Sequence, residues 1–201
     1  EGLARYDRRG QMVPGVADRW EIDDRTATFW LNKNAKWSDG VPVTAKDFVF
    51  AWRTALDPAT ASEYAFILYA LKNAEVINKG ELPPTALAVR ALDDHTLEIE
   101  LERPTAYFIN LTAFASYFPI REEFYKKKGE RYAADASDLI YNGAFMMTEW
   151  VHGASLKLVK NPHYWNKDSI SLNAINVDYI TADSRSQLNL FIDGKIVHTQ
   201  L

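Results

Sequence analysis

The sequence predicts an α+β fold, and three patterns carry that expectation. After Thr44, apolar residues fall at Ala45, Phe48, Val49, Trp52, Ala55 and Leu56, the i, i+3, i+4, i+7 spacing of an amphipathic helix. At 96–101, Leu97, Ile99 and Leu101 alternate with Thr96, Glu98 and Glu100, the period of a half-buried strand. From Asn142 onward the texture changes to paired strands. Hairpins mixed with short helices indicate α+β rather than a repeating βαβ unit.

Taken in order, Asp7 to Gly10 and Pro14–Gly15 are turns, and Ala27 to Leu31 (ATFWL) reads as a strand. Asp39–Gly40 is a strong turn signal with Pro42 behind it. Thr44 with Asp47 three residues on has the pattern of a capping box, and Asp57–Pro58 ends that helix because a residue before proline disfavours helical geometry. A second helix is expected from near Ser62 to about Asn78, broken by Gly80 and Pro83–Pro84. Val89 to Leu92 and Thr96 to Leu101 form a hairpin around Asp93, Asp94 and His95. Pro104 opens a short helix through Tyr107, Phe108 and Leu111. Another runs from Glu122 to Lys128, acid first and base last to match the helix dipole, with Gly129 after it. Ala144 to Trp150 pairs with Ser155 to Lys160 across His152–Gly153, Ile175, Val177 and Tyr179 mark a third strand, and a helix from Asp183 to Asp193 ends at Gly194. A composition shift between Pro119 and Tyr141 marks the expected lobe boundary.

The bulk properties narrow the function. The chain has 201 residues, 23 basic and 27 acidic, for a net charge of −4. That balance, without a basic stripe, argues against nucleic-acid binding. No uncharged stretch reaches the ~20 apolar residues needed to cross a bilayer. The absence of cysteine excludes disulfides, thiol catalysis and thiolate metal sites, and leaves the compartment open. The chain opens at Glu1 without a Met and stops at Leu201 just after a helix, so it reads as part of a longer protein.

Catalytic signatures are missing. His95, His152, His163 and His198 show no metal-ligand spacing and read as turn or surface positions. No nucleophile elbow, P-loop or dinucleotide fingerprint occurs. The acidic pairs Asp23–Asp24, Asp93–Asp94 and Glu122–Glu123 sit in turns or at a helix start, where solvated surface explains them; a glycosidase would need two carboxylates facing across a cleft. The unusual feature is an aromatic content of 13%. Trp30, Phe48, Trp52 and Phe108 fall at core-facing positions. Tyr64, Phe66 and Tyr69 cannot all face one side of a helix, which leaves packing and ligand contact both open for them.

Several segments together resemble a known family. These are EGLARYD and VPGVADRW (within 1–20), ATFWLNKNAKWSDGVPVTAKDFVFAW (27–52), LDPATASEYAFILYAL (56–71), ALDDHTLEIEL (91–101), YNGAF (141–145) and KNPHYW (160–165). In this order they are similar to the extracytoplasmic solute-binding proteins of bacterial peptide ABC transporters, and DPATASEYA points to the oligopeptide-binding branch. The resemblance implies part of a two-lobed, type II periplasmic-binding-protein fold. Residues 1–119 would be the extra α/β domain of the peptide-binding cluster and 120–201 a partial first lobe, with the second lobe outside this chain. It implies a non-enzymatic protein of the periplasm or cell surface, without a cofactor, that captures oligopeptides as a monomer and delivers them to a membrane permease. The same scaffold could instead take a murein peptide, dipeptide, nickel complex or sugar. Tyr64, the tyrosine of the S-x-Y-A segment, is implied as a peptide contact. Gln200, on the run toward the cleft and hinge, is implied as a further contact, although the family often carries asparagine there.

Overall fold

The computed structural model describes residues 1–178 and 183–198. Among these, nine strands form three antiparallel sheets, accompanied by five α-helices and several short 3₁₀ turns. The first sheet is a hairpin of β1 (Ala4–Tyr6) and β2 (Met12–Pro14). The Asp7 carboxylate ties its turn by accepting from the Arg9 and Gln11 N–H groups at 2.8 and 2.9 Å. The Gly15 backbone passes so close to the first residues that a Cβ there would lie 2.6 Å from the Gly2 carbonyl oxygen.

The second sheet has the order β3–β4–β6–β5, from β3 (Ala17–Ile22), β4 (Thr26–Leu31), β5 (Val89–Ala91) and β6 (Thr96–Glu100). Its alternation is clean. Ala27, Phe29, Leu31, Leu97 and Ile99 are buried on one face, while Thr28, Trp30, Glu98 and Glu100 lie partly open on the other. Trp30 is therefore not a core residue as expected. It is half-buried, with the Arg19 guanidinium 3.5 Å above its ring, a cation–π contact on the outer face.

Helix α1 (Ala45–Leu56) contributes Phe48, Ala51, Trp52 and Leu56 to the same core. Its N-terminus is built as the sequence predicts: the Asp47 carboxylate accepts from the Thr44 N–H at 2.8 Å and from the Trp37 indole N–H at 3.3 Å. The core continues through edge-on aromatic pairs, Phe48–Trp52, Trp52–Tyr117, Phe108–Tyr117 and Phe29–Phe108. All of its buried apolar members fall between Leu3 and Tyr117.

The expected continuous helix from Ser62 to Asn78 does not form. Residues Ala65–Ala70 make a 3₁₀ helix, Leu71 turns extended and bridges Leu101, and α2 (Ala74–Asn78) starts only after Asn73 in a left-handed conformation (φ 70°). The physical reason is the apolar repeat. Ala65, Leu68 and Leu71 recur every three residues and are all buried, which suits a 3.0-residue turn, and Leu71 gains a sheet-like partner by leaving the helix.

Helix α3 (Phe108–Leu111) and α4 (Glu122–Lys128) lead into the third sheet, β7 (Phe145–Val151), β8 (Ser155–Lys160) and β9 (Ala174–Val177), in that order. The Tyr179 end of the expected third strand lies outside the described residues. Helix α5 (Ser184–Ile192) is capped by Asp183, which accepts from the Ser186 N–H at 3.1 Å. This end leaves apolar side chains open: Ile175, Val177, Phe191 and Ile192 are all exposed.

Candidate functional site

Tyr64 stands at the head of the 3₁₀ helix, and the local sequence dictates its outward aim. The Asp57 carboxylate accepts from the Ala59 N–H at 3.0 Å and closes a first 3₁₀ turn at Pro58–Thr60. Ala61 then reverses the chain in a left-handed conformation (φ 50°), and the Tyr64 carbonyl accepts from the Ile67 N–H at 3.1 Å to start the helix. With Ala65 and Leu68 taken by the core, Tyr64 and Phe66 are left on the outside, 55% and 58% exposed. Their rings stack with centroids 6.0 Å apart. Tyr69 turns elsewhere and donates its hydroxyl to the Asn78 side chain at 2.8 Å.

A third ring completes this surface. Phe114, 44% exposed, has its ring centroid 6.3 Å from that of Tyr64, so the Tyr64 ring neighbours both Phe66 and Phe114. Sequence reasoning missed Phe114, because the two segments are fifty residues apart and nothing local signals the contact. Tyr117 holds the segments together. It is fully buried, donates its hydroxyl to the Ile67 carbonyl at 3.2 Å, and its own carbonyl accepts from the Trp52 indole at 3.0 Å. Burial pushes the Tyr117 phenol well above its ordinary value, so it stays a neutral donor. The Tyr64 hydroxyl, by contrast, has no hydrogen-bond partner among the described residues. Gln200 lies outside the described residues.

Several of the other quoted segments meet at a second place, where residues after 120 pack on the first ones. The Trp37–Gly40 turn is the centre. Ser38 Oγ accepts from the Tyr141 N–H at 3.3 Å, Asp39 pairs with Arg121, and the His163 imidazole lies against Gly40. Gly40 takes φ +89° there, and a Cβ would stand 3.4 Å from the His163 ring. Asn142 donates to the Glu1 carbonyl at 2.9 Å, while the Glu1 carboxylate accepts from the Tyr164 hydroxyl and the Trp165 indole, both at 2.8 Å. Asn161 is fully buried and donates to the Gly143 carbonyl at 2.9 Å. The segments 1–3, 37–40, 141–145 and 160–165 thus lock one junction, a structural task.

Several of the remaining candidates have structural partners. The Asp93 carboxylate accepts from the His95 N–H and the Thr96 hydroxyl, Asp94 pairs with Lys46, Glu122 with Lys126 and Glu123 with Arg121. His152 stacks on Trp150. Among the described residues no group of three or more His, Asp or Glu could hold a metal ion, and no helix is long and apolar enough to cross a membrane.

The family profile of bacterial extracellular solute-binding proteins, family 5, middle region, matches residues 11–200. The chain belongs to this family. It is 41% identical to the oligopeptide-binding protein OppA of Bacillus subtilis over 198 residues, covering 98% of this chain and 36% of that protein. Among solved structures, the substrate-binding domain of an oligopeptide ABC transporter from Bacillus anthracis superposes with a TM-score of 0.93 at 47% identity, over 98% of this chain and 38% of that one. Listeria monocytogenes OppA bound to peptide superposes at 0.92 and 40% identity, over 98% of this chain and 39% of that one. The mixed helix–strand fold is that of the type II binding proteins. The chain spans a little over a third of the length of these relatives.

Proposed function

We propose that this chain is part of the substrate-binding component of a peptide ABC transporter, and that it captures oligopeptides for delivery to a membrane permease. The observation that carries the reading is the likeness over 98% of the chain to oligopeptide-binding proteins, at 41% and 47% identity. In this reading residues 1–119 are the extra α/β domain and 120–201 part of the first lobe, with a second lobe closing over the ligand. The protein works as a monomer outside the cytoplasmic membrane, in the periplasm or anchored to the surface, with no nucleic acid among its partners.

The chemistry supports binding without turnover. An extended peptide can pair with protein main chain as an added strand, which gives affinity without reading side chains. Water in roomy pockets adapts to each side chain. Closure is driven by contacts that both lobes make with the ligand. Tyr64 fits this role, since its ring is open and its hydroxyl is uncommitted. Gln200 is proposed as a second contact. The acidic pairs are engaged in turns and ion pairs, which favours a binding protein over a hydrolase. The open apolar residues of β9 and α5 support a fold completed by further chain packed on them.

Mass spectrometry of ligand released from the full-length protein, with calorimetric titration of tri- and tetrapeptides, tests the reading. Co-purified oligopeptides and saturable binding are expected. A murein peptide, dipeptide, nickel complex or sugar in their place, or turnover of a carbohydrate that acidic substitutions abolish, would overturn it.

A further inference from the structure

Three large rings on an open surface, two of them set against the third, invite a ligand, because each is about half exposed and has apolar area left to bury. Here they are Phe66, Tyr64 and Phe114, each 44–58% exposed, with Tyr64 in the middle. The arrangement is amphipathic: the ring that carries one unbonded hydroxyl neighbours two purely apolar rings. It is also anchored, since the buried Tyr117 ties the 3₁₀ helix to the segment that carries Phe114. A hydroxyl beside apolar rings matches a peptide unit, whose polar main chain alternates with side chains. It does not match a charged or strongly hydrated side chain.

We propose that Phe66 and Phe114 set a side-chain preference, making the surface around Tyr64 a ledge for an aromatic side chain of the bound peptide. The inference rests on the peptide-binding reading above and deepens it. A peptide that lays a phenylalanine on the ledge buries apolar area on both partners and gains ring–ring contact.

The test is calorimetry on the full-length protein with trialanine and the three tripeptides that carry one phenylalanine. At least one phenylalanine peptide is expected to bind about tenfold tighter than trialanine, and Phe66→Ala or Phe114→Ala should bring that ratio to within about threefold. Phe66→Leu and Phe114→Leu, which keep apolar bulk, should give intermediate ratios, and thermal unfolding checks that each variant is folded. Reading the ratio cancels any general weakening common to both peptides. A ratio near one in the unaltered protein, or a ratio that survives both alanine substitutions as it would if another lobe covered the ledge, overturns the inference and leaves peptide binding intact. Failure of every tripeptide to bind overturns the peptide-binding reading itself.

Discussion

The Tyr117 hydroxyl donates to the Ile67 carbonyl at 3.2 Å, and this bond joins the segment bearing Phe114 to the helix bearing Tyr64. The ring of Tyr117 is fully buried against Trp52 and Phe108, so the bond is made inside the core while its consequence is at the surface. Tyr117→Phe keeps the ring and removes the donor, leaving the Ile67 carbonyl without that partner. Denaturant unfolding should show a loss of about 0.5–1.5 kcal/mol. Tyr117→Ala should lose about 3–5 kcal/mol through the cavity it leaves.

Tyr64 should behave in the opposite way. Its side chain is more than half exposed, so Tyr64→Phe should change stability by less than about 0.5 kcal/mol. If the hydroxyl contacts peptide, the same substitution weakens peptide affinity of the full-length protein roughly three- to tenfold. Parallel thermal melts and calorimetry separate the two effects.

Asp47 organises the start of α1. Burial raises its carboxyl above the ordinary value, opposed by the Thr44 N–H, the Trp37 indole and the Thr44 hydroxyl. A carboxylate raised in this way favours the fold most at low pH and loses that contribution as pH climbs through its folded value. Asp47→Ala removes the acceptor shared by Thr44 and Trp37 and should cost about 1–3 kcal/mol. Asp47→Asn keeps an acceptor and should cost less. Urea unfolding of the two variants checks the order.

Acid should act in part through Asp138. This buried carboxylate pairs with Lys128 at 2.9 Å and Arg131 at 3.0 Å. The Lys128 bond holds it below its ordinary 3.8 against desolvation, with Arg131 adding to the effect. A carboxyl lowered on folding stabilises above its unfolded value, and that stability drains away as pH falls through the folded one. Asp138→Asn should therefore melt lower than the unaltered protein at neutral pH. The gap should shrink below about pH 3.8, and a gap independent of pH would contradict the assignment.

What was legible in the sequence was local. Helix α1 could be read because its cap, its 3.6-residue period and the proline after it agree. The hairpin at 89–100 could be read because its strands bury one face only. The segment from Ser62 to Asn78 was misread because a repeat of three apolar residues suits both helix types, and the Leu71–Leu101 bridge that decides between them is non-local. Strands β1 to β3 gave no signal, being short or, in β3, rich in charge. Trp30 looked like core because tryptophan in a strand usually is, whereas Arg19 covers it from outside. Of the candidate site, Tyr64 is legible through a resemblance and Phe66 through its place in the same segment, whereas Phe114 depends on a contact that only the folded chain makes.

The central claim is that these 201 residues grip a peptide only together with a second lobe. Calorimetric titration of a tri- or tetrapeptide into the 201-residue chain, beside the full-length protein, tests it most directly. Clear binding by the full-length protein and far weaker binding by the 201-residue chain are expected. Micromolar or tighter affinity in the 201-residue chain alone would contradict it.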